Sequence, residues 1–311
     1  MMKRYVLVYN PVSGHATFRQ RLDGIIEAFQ RRQTMLIPYR TSLGDTKMGD
    51  FIREAAPEGI LAAGGDGTLH EVVNVLMREK LSLPVGIIGS GTSNDFATYL
   101  GVNSDLEAYF DCIVDDISRP VDVGCANGEY FINVASAGAL TSVAHEVNVR
   151  LKHAMGKMAY YLRGIGEIPK LHKLHLHIKA DGEEYETGAY LFVIVNSSVA
   201  GSMQNVAAKA EVDDGKLDLL VVKDTGITEF MALAKDVVSG TIKPGEKNIL
   251  YVQAKSFVVE SDTPTESDLD GERGPALPLS VDTVKRALRI YTMAEQGKNA
   301  AAPQKESVHD G

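Results

Sequence analysis

Short apolar runs alternate with segments of helical periodicity across the first 124 residues. Runs at residues 5–9, 35–39, 60–63 and 85–88 predict strands, because the buried strands of a parallel sheet are almost continuously apolar. Between them, apolar side chains recur at every third or fourth position, which predicts amphipathic helices. This alternation is typical of an α/β domain with a largely parallel sheet.

Beyond Asp122 the pattern changes to strands with few helical interruptions. We predict one helix at residues 228–239, with Thr228 as its N-cap. A chain segment of this kind is typical of a mainly β domain, either a sandwich or a barrel. The predicted strands lie at residues 173–179, 188–196, 216–223, 249–260 and 277–281.

These patterns divide the chain into two domains and a tail. Residues 1–124 form the α/β domain, and residues 125–285 form the β-rich domain. We expect the chain to return to the first domain at about residues 286–296. Residues 297–311 show no apolar periodicity and should be disordered.

Composition agrees with a folded chain of two domains. The protein has 311 residues, of which 44% are hydrophobic and 23% are charged, enough for two separate cores. Its two cysteines, Cys112 and Cys125, match neither a redox pair nor a zinc site. We therefore expect free thiols in a reducing compartment, and so a cytoplasmic protein.

Charge and hydropathy exclude several classes of function. No apolar run approaches the ~18 residues of a membrane span, and the formal net charge of −9 argues against nucleic acid as a partner. Residues 150–179 differ, with seven Lys or Arg against one acidic residue. This basic segment predicts peripheral contact with the inner face of an anionic membrane. The alternative is a solvated helix whose methionines and tyrosines pack on the β domain.

A glycine-rich turn, G-G-D-G-T at residues 64–68, follows the third predicted strand. A strand-to-helix turn directs backbone N–H groups and the positive helix end toward one point, and glycines let a phosphate approach the backbone. Asp66 adds a carboxylate that can hold Mg²⁺ or accept a proton. The simpler alternative is a glycine-rich turn capped by Thr68.

Two more small-residue loops follow predicted strands, at residues 10–14 and 89–97. Loops at the carboxyl ends of parallel strands meet at one crevice, so the three loops should face one ligand. The phosphate loop of P-loop NTPases, G-x-x-x-x-G-K-[ST], and the dinucleotide-binding G-x-G-x-x-G do not occur. A nucleotide pocket of another type is therefore expected.

The motifs resemble those of the diacylglycerol kinase catalytic family, which includes the sphingosine kinases. The matching segments are N-P-x-S-G at 10–14, G-G-D-G-T-x-H-E-V-V-N at 64–74 and G-T-S-N-D-F-A at 91–97, followed by F-I-N-V at 131–134, D-D-G-K-L-D at 213–218 and L-D-G-E at 269–272. They run in family order up to about Thr292. Ser93 and Ala208 depart from the family's usual Gly and Pro, which leaves the catalytic carboxylates in place.

The resemblance implies a two-domain architecture like that of the NAD and diacylglycerol kinases, with ATP and Mg²⁺ as cofactors. It implies that Asp66 and Asp95 organise the catalytic Mg²⁺ and the phosphates. The residues that it places around the nucleotide are Asn10, Pro11, Ser13, Gly14, Thr41, Gly64, Gly65, Asp66, Gly67, Thr68, Glu71, Thr92, Asn94 and Asp95.

A second, structural Mg²⁺ is implied by the bacterial branch of the family. Its ligands would be the Asp214 carboxylate and the carbonyls of Glu211 and Lys216, and oxygen ligands suit Mg²⁺. Asp122 would link that ion to the active site. Without the resemblance, the D-G pair at 214–215 is an ordinary hairpin turn.

Phosphoryl transfer needs a residue that orients and deprotonates the acceptor hydroxyl. We predict Glu272 for this role if the second domain folds back over the nucleotide crevice. Asp66 is the alternative, because the matching residue has this role in the sphingosine kinase branch. Asp270 is a third candidate, although the D-G pair at 270–271 could also be a plain turn between strands.

The main interpretation is a kinase that phosphorylates the hydroxyl of diacylglycerol, and resemblance to the family's bacterial members, which form dimers, implies a homodimer. Alternatives are a sphingoid-base kinase, a NAD kinase, which would carry an Asn-Glu pair absent here, or a catalytically silent lipid-binding protein.

The histidines at 172, 175 and 177 contain an H-x-H pattern, which is compatible with a metal site. Apolar residues alternate with them, and this alternation favours the polar face of a strand as the simpler interpretation.

Overall fold

The computed structural model shows one continuous sheet of fifteen strands and, among the elements that it describes from end to end, five helices. The sheet passes through both domains, because strands of the second domain join the edge of the first. The described residues are 2–11, 18–42, 44–89, 94–102, 104–138, 173–200, 207, 209–226, 229, 233 and 246–293.

The first domain has the predicted α/β architecture. Its four parallel strands lie in the order β4-β3-β1-β2. The strands are β1 (Arg4–Tyr9), β2 (Met35–Arg40), β3 (Gly59–Gly64) and β4 (Val85–Gly89). The helices are α1 (Phe18–Arg31), α2 (Met48–Ala55), α3 (Asp66–Arg78), α4 (Asp95–Leu100) and α5 (Leu106–Val114).

The core of the first domain forms around its central strands. β3 is buried at all six positions, which explains its continuous apolar sequence. Phe29 of α1 packs on Tyr5 of β1, with ring centroids 6.0 Å apart. The Tyr5 hydroxyl donates to the carbonyl of Ile113 at 3.0 Å, so this buried polar group has a partner.

The second domain is β-rich, as predicted, and pairs its strands antiparallel. A second hydrophobic cluster, separate from the first core, includes Phe192 and Phe257. The strands that follow α5 in the chain are β5 (Ser118–Ala126), β6 (Glu129–Phe131), β7 (Val134–Gly138), β8 (Leu174–Ala180), β9 (Glu183–Val195), β10 (Leu217–Lys223), β11 (Ile249–Ala254), β12 (Ser256–Ser261), β13 (Glu266–Leu269), β14 (Glu272–Ala276) and β15 (Leu279–Tyr291).

Three strand predictions in this domain were wrong in extent. The strand predicted at 188–196 is β9, which begins earlier, at Glu183, and ends at Val195. The single strand predicted at 249–260 is two strands, because the backbone N–H groups of Lys255 and Ser256 donate to the carboxylate of Asp181. The strand predicted at 277–281 is the start of β15, which continues to Tyr291. Strands β5, β6, β7, β13 and β14 were not predicted.

Strand β15 connects the two domains. Val281 pairs with Ala126 of β5, while Ile290 pairs with Val85 of β4. Leu288, Ile290 and Tyr291 are buried in the core of the first domain. The end of the chain's second domain therefore becomes part of the first domain's sheet.

Some predicted features fall mainly on residues that the structure does not describe. Only Glu229 and Leu233 of the predicted helix at 228–239 are described, and both are helical. The tail at 297–311 and most of the basic segment lie outside the described residues. Among the helices that are described, none combines the length and apolar character needed to cross a membrane.

Candidate active site

The glycine-rich turn connects β3 to α3 as predicted. Gly65 has an extended conformation (φ −91°, ψ −170°), and Asp66 begins the helix. A Cβ on Gly64 would lie 2.1 Å from the Thr68 hydroxyl oxygen, and one on Gly67 would lie 2.4 Å from Glu272 Oε1. Side chains at these two positions would therefore fill the space in front of the first turn of α3.

Asp66 joins the turn to the loop after β4. Its Oδ1 accepts the backbone N–H of Asp95 and its Oδ2 accepts that of Asn94, both at 3.1 Å. Asn94 has a left-handed backbone (φ 49°), and Asp95 is buried at the start of α4. The two loops therefore meet at one place, as the parallel sheet predicts.

The environment of Asp66 disfavours its negative charge. Burial, followed by the charges of Asp95 and Asp270, raises the pKa of Asp66 from 3.8 to about 7, although the two backbone hydrogen bonds lower it. Carboxylates held together away from water lower their repulsion by taking up a proton or a cation. The donor set at this turn therefore suits a divalent cation that prefers oxygen ligands.

Other residues predicted at the nucleotide lie at the ends of the first two strands. The backbone N–H of Asn10 donates to Ala63 at 3.3 Å, and that of Thr41 donates to Tyr9 at 3.0 Å. Glu71 lies on the first turns of α3, where burial and the charges of Asp45 and Glu272 raise its pKa. Pro11, which directly follows Asn10 in the sequence, is buried. Ser13, Gly14 and Thr92 lie outside the described residues.

Glu272 comes to this turn from the second domain. It is the first residue of β14, directly after the D-G turn that follows β13, and it pairs with Leu269. Its Oε1 occupies the space that a side chain on Gly67 would take. The side chain is exposed, so it can reach a second substrate. The folding back of the second domain that this role requires is present.

Asp270, two residues earlier, has a different environment. Its Oδ1 accepts the N–H groups of Asn133 and Val134, both at 2.9 Å, and its Oδ2 accepts that of Ile132 at 2.8 Å. Oδ2 also contacts His70 Nδ1 at 3.4 Å. The side chain is 1% exposed. This geometry favours a structural role over the catalytic one considered from the sequence.

His70 and Asn74 form a buried polar contact that the sequence did not reveal. Asn74 Nδ2 lies 3.2 Å from His70 Nε2 and donates to the carbonyl of Tyr130 at 2.7 Å, while Asn74 Oδ1 accepts the Tyr130 N–H at 3.0 Å. Burial lowers the pKa of His70, but the hydrogen bond and charge of Asp270, together with the charges of Glu129 and Glu272, raise the pKa overall.

The available signal was a polar pair at i and i+4 on a helix with an otherwise apolar stripe. These contacts tie helix α3, which carries Asp66, to the hairpin that carries Glu272. The relative position of the two catalytic candidates therefore depends on His70, Asn74 and Asp270.

The predicted structural metal site lies at a second, separate turn, before β10. Asp214 Oδ1 accepts the N–H of Lys216 at 2.8 Å. Asp122 is fully buried, and its two oxygens accept the N–H groups of Gly215 and Arg286, both at 2.6 Å. Burial raises the pKa of Asp122. The Asp122 carboxylate thus fixes this turn against β15, and a metal at Asp214 stays a prediction.

Comparison with known proteins follows the same two-domain division. The model of the diacylglycerol kinase catalytic domain matches residues 4–126, and that of the YegS C-terminal NAD kinase beta sandwich-like domain matches residues 133–292. The diacylglycerol kinase of Bacillus subtilis (strain 168) is 32% identical over an alignment of 305 residues, which covers 96% of this chain and 99% of the relative. The chain belongs to the diacylglycerol kinase family.

Other members of the family agree with this assignment. The diacylglycerol kinase of Staphylococcus haemolyticus (strain JCSC1435) is 33% identical over 318 residues, covering 100% of this chain and 94% of the relative. A crystal structure of a candidate diacylglycerol kinase from Bacillus anthracis str. Sterne is 29% identical, with a TM-score of 0.79 over 93% of this chain and 95% of its own. Membership of the family makes this chain a kinase.

Proposed function

We propose that this kinase transfers the γ-phosphate of ATP to the hydroxyl group of a diacylglycerol, which yields phosphatidic acid. The observation that carries the proposal is the position of Glu272, which the β-rich domain places against Gly67 of the phosphate-type turn. One domain thus supplies a nucleotide-type turn, and the other supplies a carboxylate for an acceptor.

The first domain has the features that binding of a nucleoside triphosphate requires. Gly65 and Gly67 flank Asp66 at the start of α3, and the positive end of a 13-residue helix favours an anion there. Asn10 and Thr41 line the neighbouring strand ends. We assign the phosphates to this turn, with the rest of the nucleotide toward the ends of β1 and β2.

Mg²⁺ fits the donor set of this site, because burial and the neighbouring charge of Asp95 disfavour the negative charge of Asp66. When bound, such an ion neutralises the charge of the transferring phosphoryl group. Asp66 and Asp95 would hold it. Asp66 also keeps the loop after β4 in place through its two backbone hydrogen bonds.

Glu272 acts on the acceptor in this proposal. Its carboxylate takes the proton of the lipid hydroxyl as the hydroxyl oxygen forms a bond to the γ-phosphorus and the bond to the β-phosphate oxygen breaks. The alternative base, Asp66, already accepts two backbone N–H groups. The Glu272 side chain is exposed and belongs to the second domain, and both features favour Glu272 over Asp66 as the base.

The second metal site is also part of the proposal. Asp214, with the carbonyls of Glu211 and Lys216, would hold a structural Mg²⁺ in the turn before β10. The carboxylates of Asp213 and Asp214 add to the burial that raises the pKa of Asp122, so negative charge accumulates there. A cation would relieve this repulsion and stabilise the turn.

The test is transfer of radiolabelled phosphate from ATP to a panel of acceptor molecules by the purified protein. The panel contains diacylglycerol, a sphingoid base and NAD, and Asp66→Asn serves as the inactive control. Labelled phosphatidic acid as the main product supports the proposal. Labelled sphingoid base or NADP as the main product would identify one of the alternative kinases, and no labelled product would indicate a silent binding protein.

We further propose peripheral contact with the inner face of the membrane, through the basic segment at 150–179, and assembly as a homodimer. Of the basic residues in this segment, Lys173 and Lys179 are described, and they pair with Asp224 and Glu184 at 3.3 and 3.4 Å. Sedimentation with anionic vesicles at low and high salt tests the contact, and light scattering tests the dimer. Salt-independent binding or a monomer would contradict these two points.

A further inference from the structure

We propose a binding site for a transition-metal ion of the Zn²⁺ type on the outer face of the β-rich domain, formed by His175, His177 and Glu186. One ligand atom from each of these side chains lies within 4.8 Å of the others. Strands β8 and β9 both contribute. The site is separate from the nucleotide crevice and from the predicted magnesium sites.

Strand geometry explains why these side chains meet. His175 and His177 are two residues apart on β8, so they project from the same face, and the burial of β8 alternates accordingly. Glu186 of β9 is directly opposite His177, while Gly188 is opposite His175. The glycine has no side chain between His175 and Glu186, so these two can approach each other diagonally.

The distances are close to those that a metal requires. His175 Nε2 lies 2.8 Å from Glu186 Oε1, and His177 Nδ1 lies 4.0 Å from Glu186 Oε2. Ligands at 2.0–2.1 Å in a tetrahedron are roughly 3.3 Å from each other. The side chains are 44%, 47% and 63% exposed, so small rotations can adjust these distances.

Further carboxylates add negative charge around the same pair of histidines. Asp262 Oδ1 lies 3.9 Å from His177 Nε2. Glu260 of β12 is opposite His177 on the other side of β8. Lys173 and Lys179, which flank the two histidines along the chain, pair with Asp224 and Glu184. The local field therefore favours a cation, and Asp262 is available as a fourth ligand after rotation.

The ligand chemistry selects the kind of ion. Two imidazole nitrogens with a carboxylate suit Zn²⁺, Ni²⁺ or Cu²⁺, whereas Mg²⁺ prefers oxygen ligands and keeps its waters.

A bound ion would link β8 to β9. Glu186 is nine residues along β9 from Val195, which pairs with Val134 beside Asp270, or about 30 Å along the strand. The ion would therefore not contact the catalytic groups.

The test is calorimetric titration of the full chain with ZnCl₂, with Mg²⁺ in large excess to occupy the oxygen sites, together with the change in melting temperature. We expect a Zn²⁺ site that Glu186→Gln weakens by about tenfold or more and that the double change His175→Gln and His177→Gln removes. Zn²⁺ should raise the melting temperature of the unchanged protein more than that of either variant.

Glu184→Gln is the matched control, because Glu184 lies on the same face of β9 and pairs with Lys179 rather than with a histidine. It should keep the Zn²⁺ affinity of the unchanged protein within about twofold. The proposal is overturned if the unchanged protein does not bind Zn²⁺, or if the double variant binds it with the same affinity and stoichiometry.

Discussion

Glu272 and Gly67 lie side by side, although they belong to different domains. A Cβ at residue 67 would be 2.4 Å from Glu272 Oε1, so the carboxylate occupies the space that the glycine leaves. Gly67 is part of the first turn of α3, directly after Asp66. This contact brings a candidate base to the turn that faces the phosphates.

Gly67→Ala should therefore lower turnover, because the added methyl group displaces the Glu272 carboxylate. The flexible side chain can move away, so we expect little change in melting temperature. Gly24→Ala is the control, because a Cβ at residue 24 would meet nothing within 4 Å, and it should keep full activity. Wild-type turnover for Gly67→Ala would show that the position of Glu272 does not matter.

Asp66→Asn should lower turnover by about 10²-fold or more, because it removes a carboxylate that stabilises the transferring group through its cation. The fold should persist. The exposed Asp50→Asn, whose side chain pairs with Arg53 on the surface, is the control for loss of one charge. Turnover within a few-fold of wild type would remove Asp66 from the mechanism.

The raised pKa of Asp66 predicts a dependence of stability on pH. A carboxyl group whose pKa rises on folding, here to about 7, favours the folded state below about pH 4, and this contribution is lost as the pH rises through 7. The amide introduced by Asp66→Asn does not titrate. The melting temperature of Asp66→Asn, relative to wild type in metal-free buffer, should therefore be higher at pH 8 than at pH 5. A difference independent of pH would contradict the raised pKa.

Asp270→Asn should destabilise the protein by about 2–4 kcal/mol, because it weakens charge-assisted hydrogen bonds to three backbone N–H groups in a buried site. Denaturant unfolding measures this loss. Glu272→Gln should leave stability within about 0.5 kcal/mol, as expected for an exposed side chain. Equal stabilities for Asp270→Asn and wild type would contradict the structural role.

Asp214→Ala should reduce both activity and the increase in melting temperature that Mg²⁺ produces, because a structural ion stabilises only the folded state. Asp213→Ala is the comparison, since Asp213 pairs with Arg119 instead of bonding within the turn. If Mg²⁺ raises the melting temperature of Asp214→Ala as much as that of wild type, Asp214 does not hold an ion.

Sequence patterns were sufficient for the first domain, because buried parallel strands such as β3 are continuous apolar runs. These patterns did not predict β5, which contains Pro120 and the buried Asp122, or the short hairpin of β13 and β14. The length of β15 was missed because its register shifts between Val284 and Leu288, and such a bulge interrupts the alternation of side chains.

The candidate active site likewise contains some features that the sequence predicts and others that it does not. Glycine spacing and the Asp66 carboxylate indicated a phosphate turn without any structure. The structural role of Asp270 could not be predicted, because a D-G turn looks the same whether its carboxylate faces water or three backbone N–H groups. The contact of His70 with Asp270 likewise depends on how the two domains meet, which no local pattern contains.

The central claim is that Glu272 acts on the acceptor hydroxyl beside a nucleotide held by the first domain. Its most direct test is transfer of phosphate from ATP to diacylglycerol by Glu272→Gln, measured together with ATP affinity, with Glu266→Gln on the same hairpin as the control. The account predicts that Glu272→Gln loses about 10²-fold or more in turnover at nearly unchanged ATP affinity, while Glu266→Gln keeps both. Normal turnover at saturating ATP with weakened ATP binding would contradict it, because Glu272 would then be a nucleotide ligand.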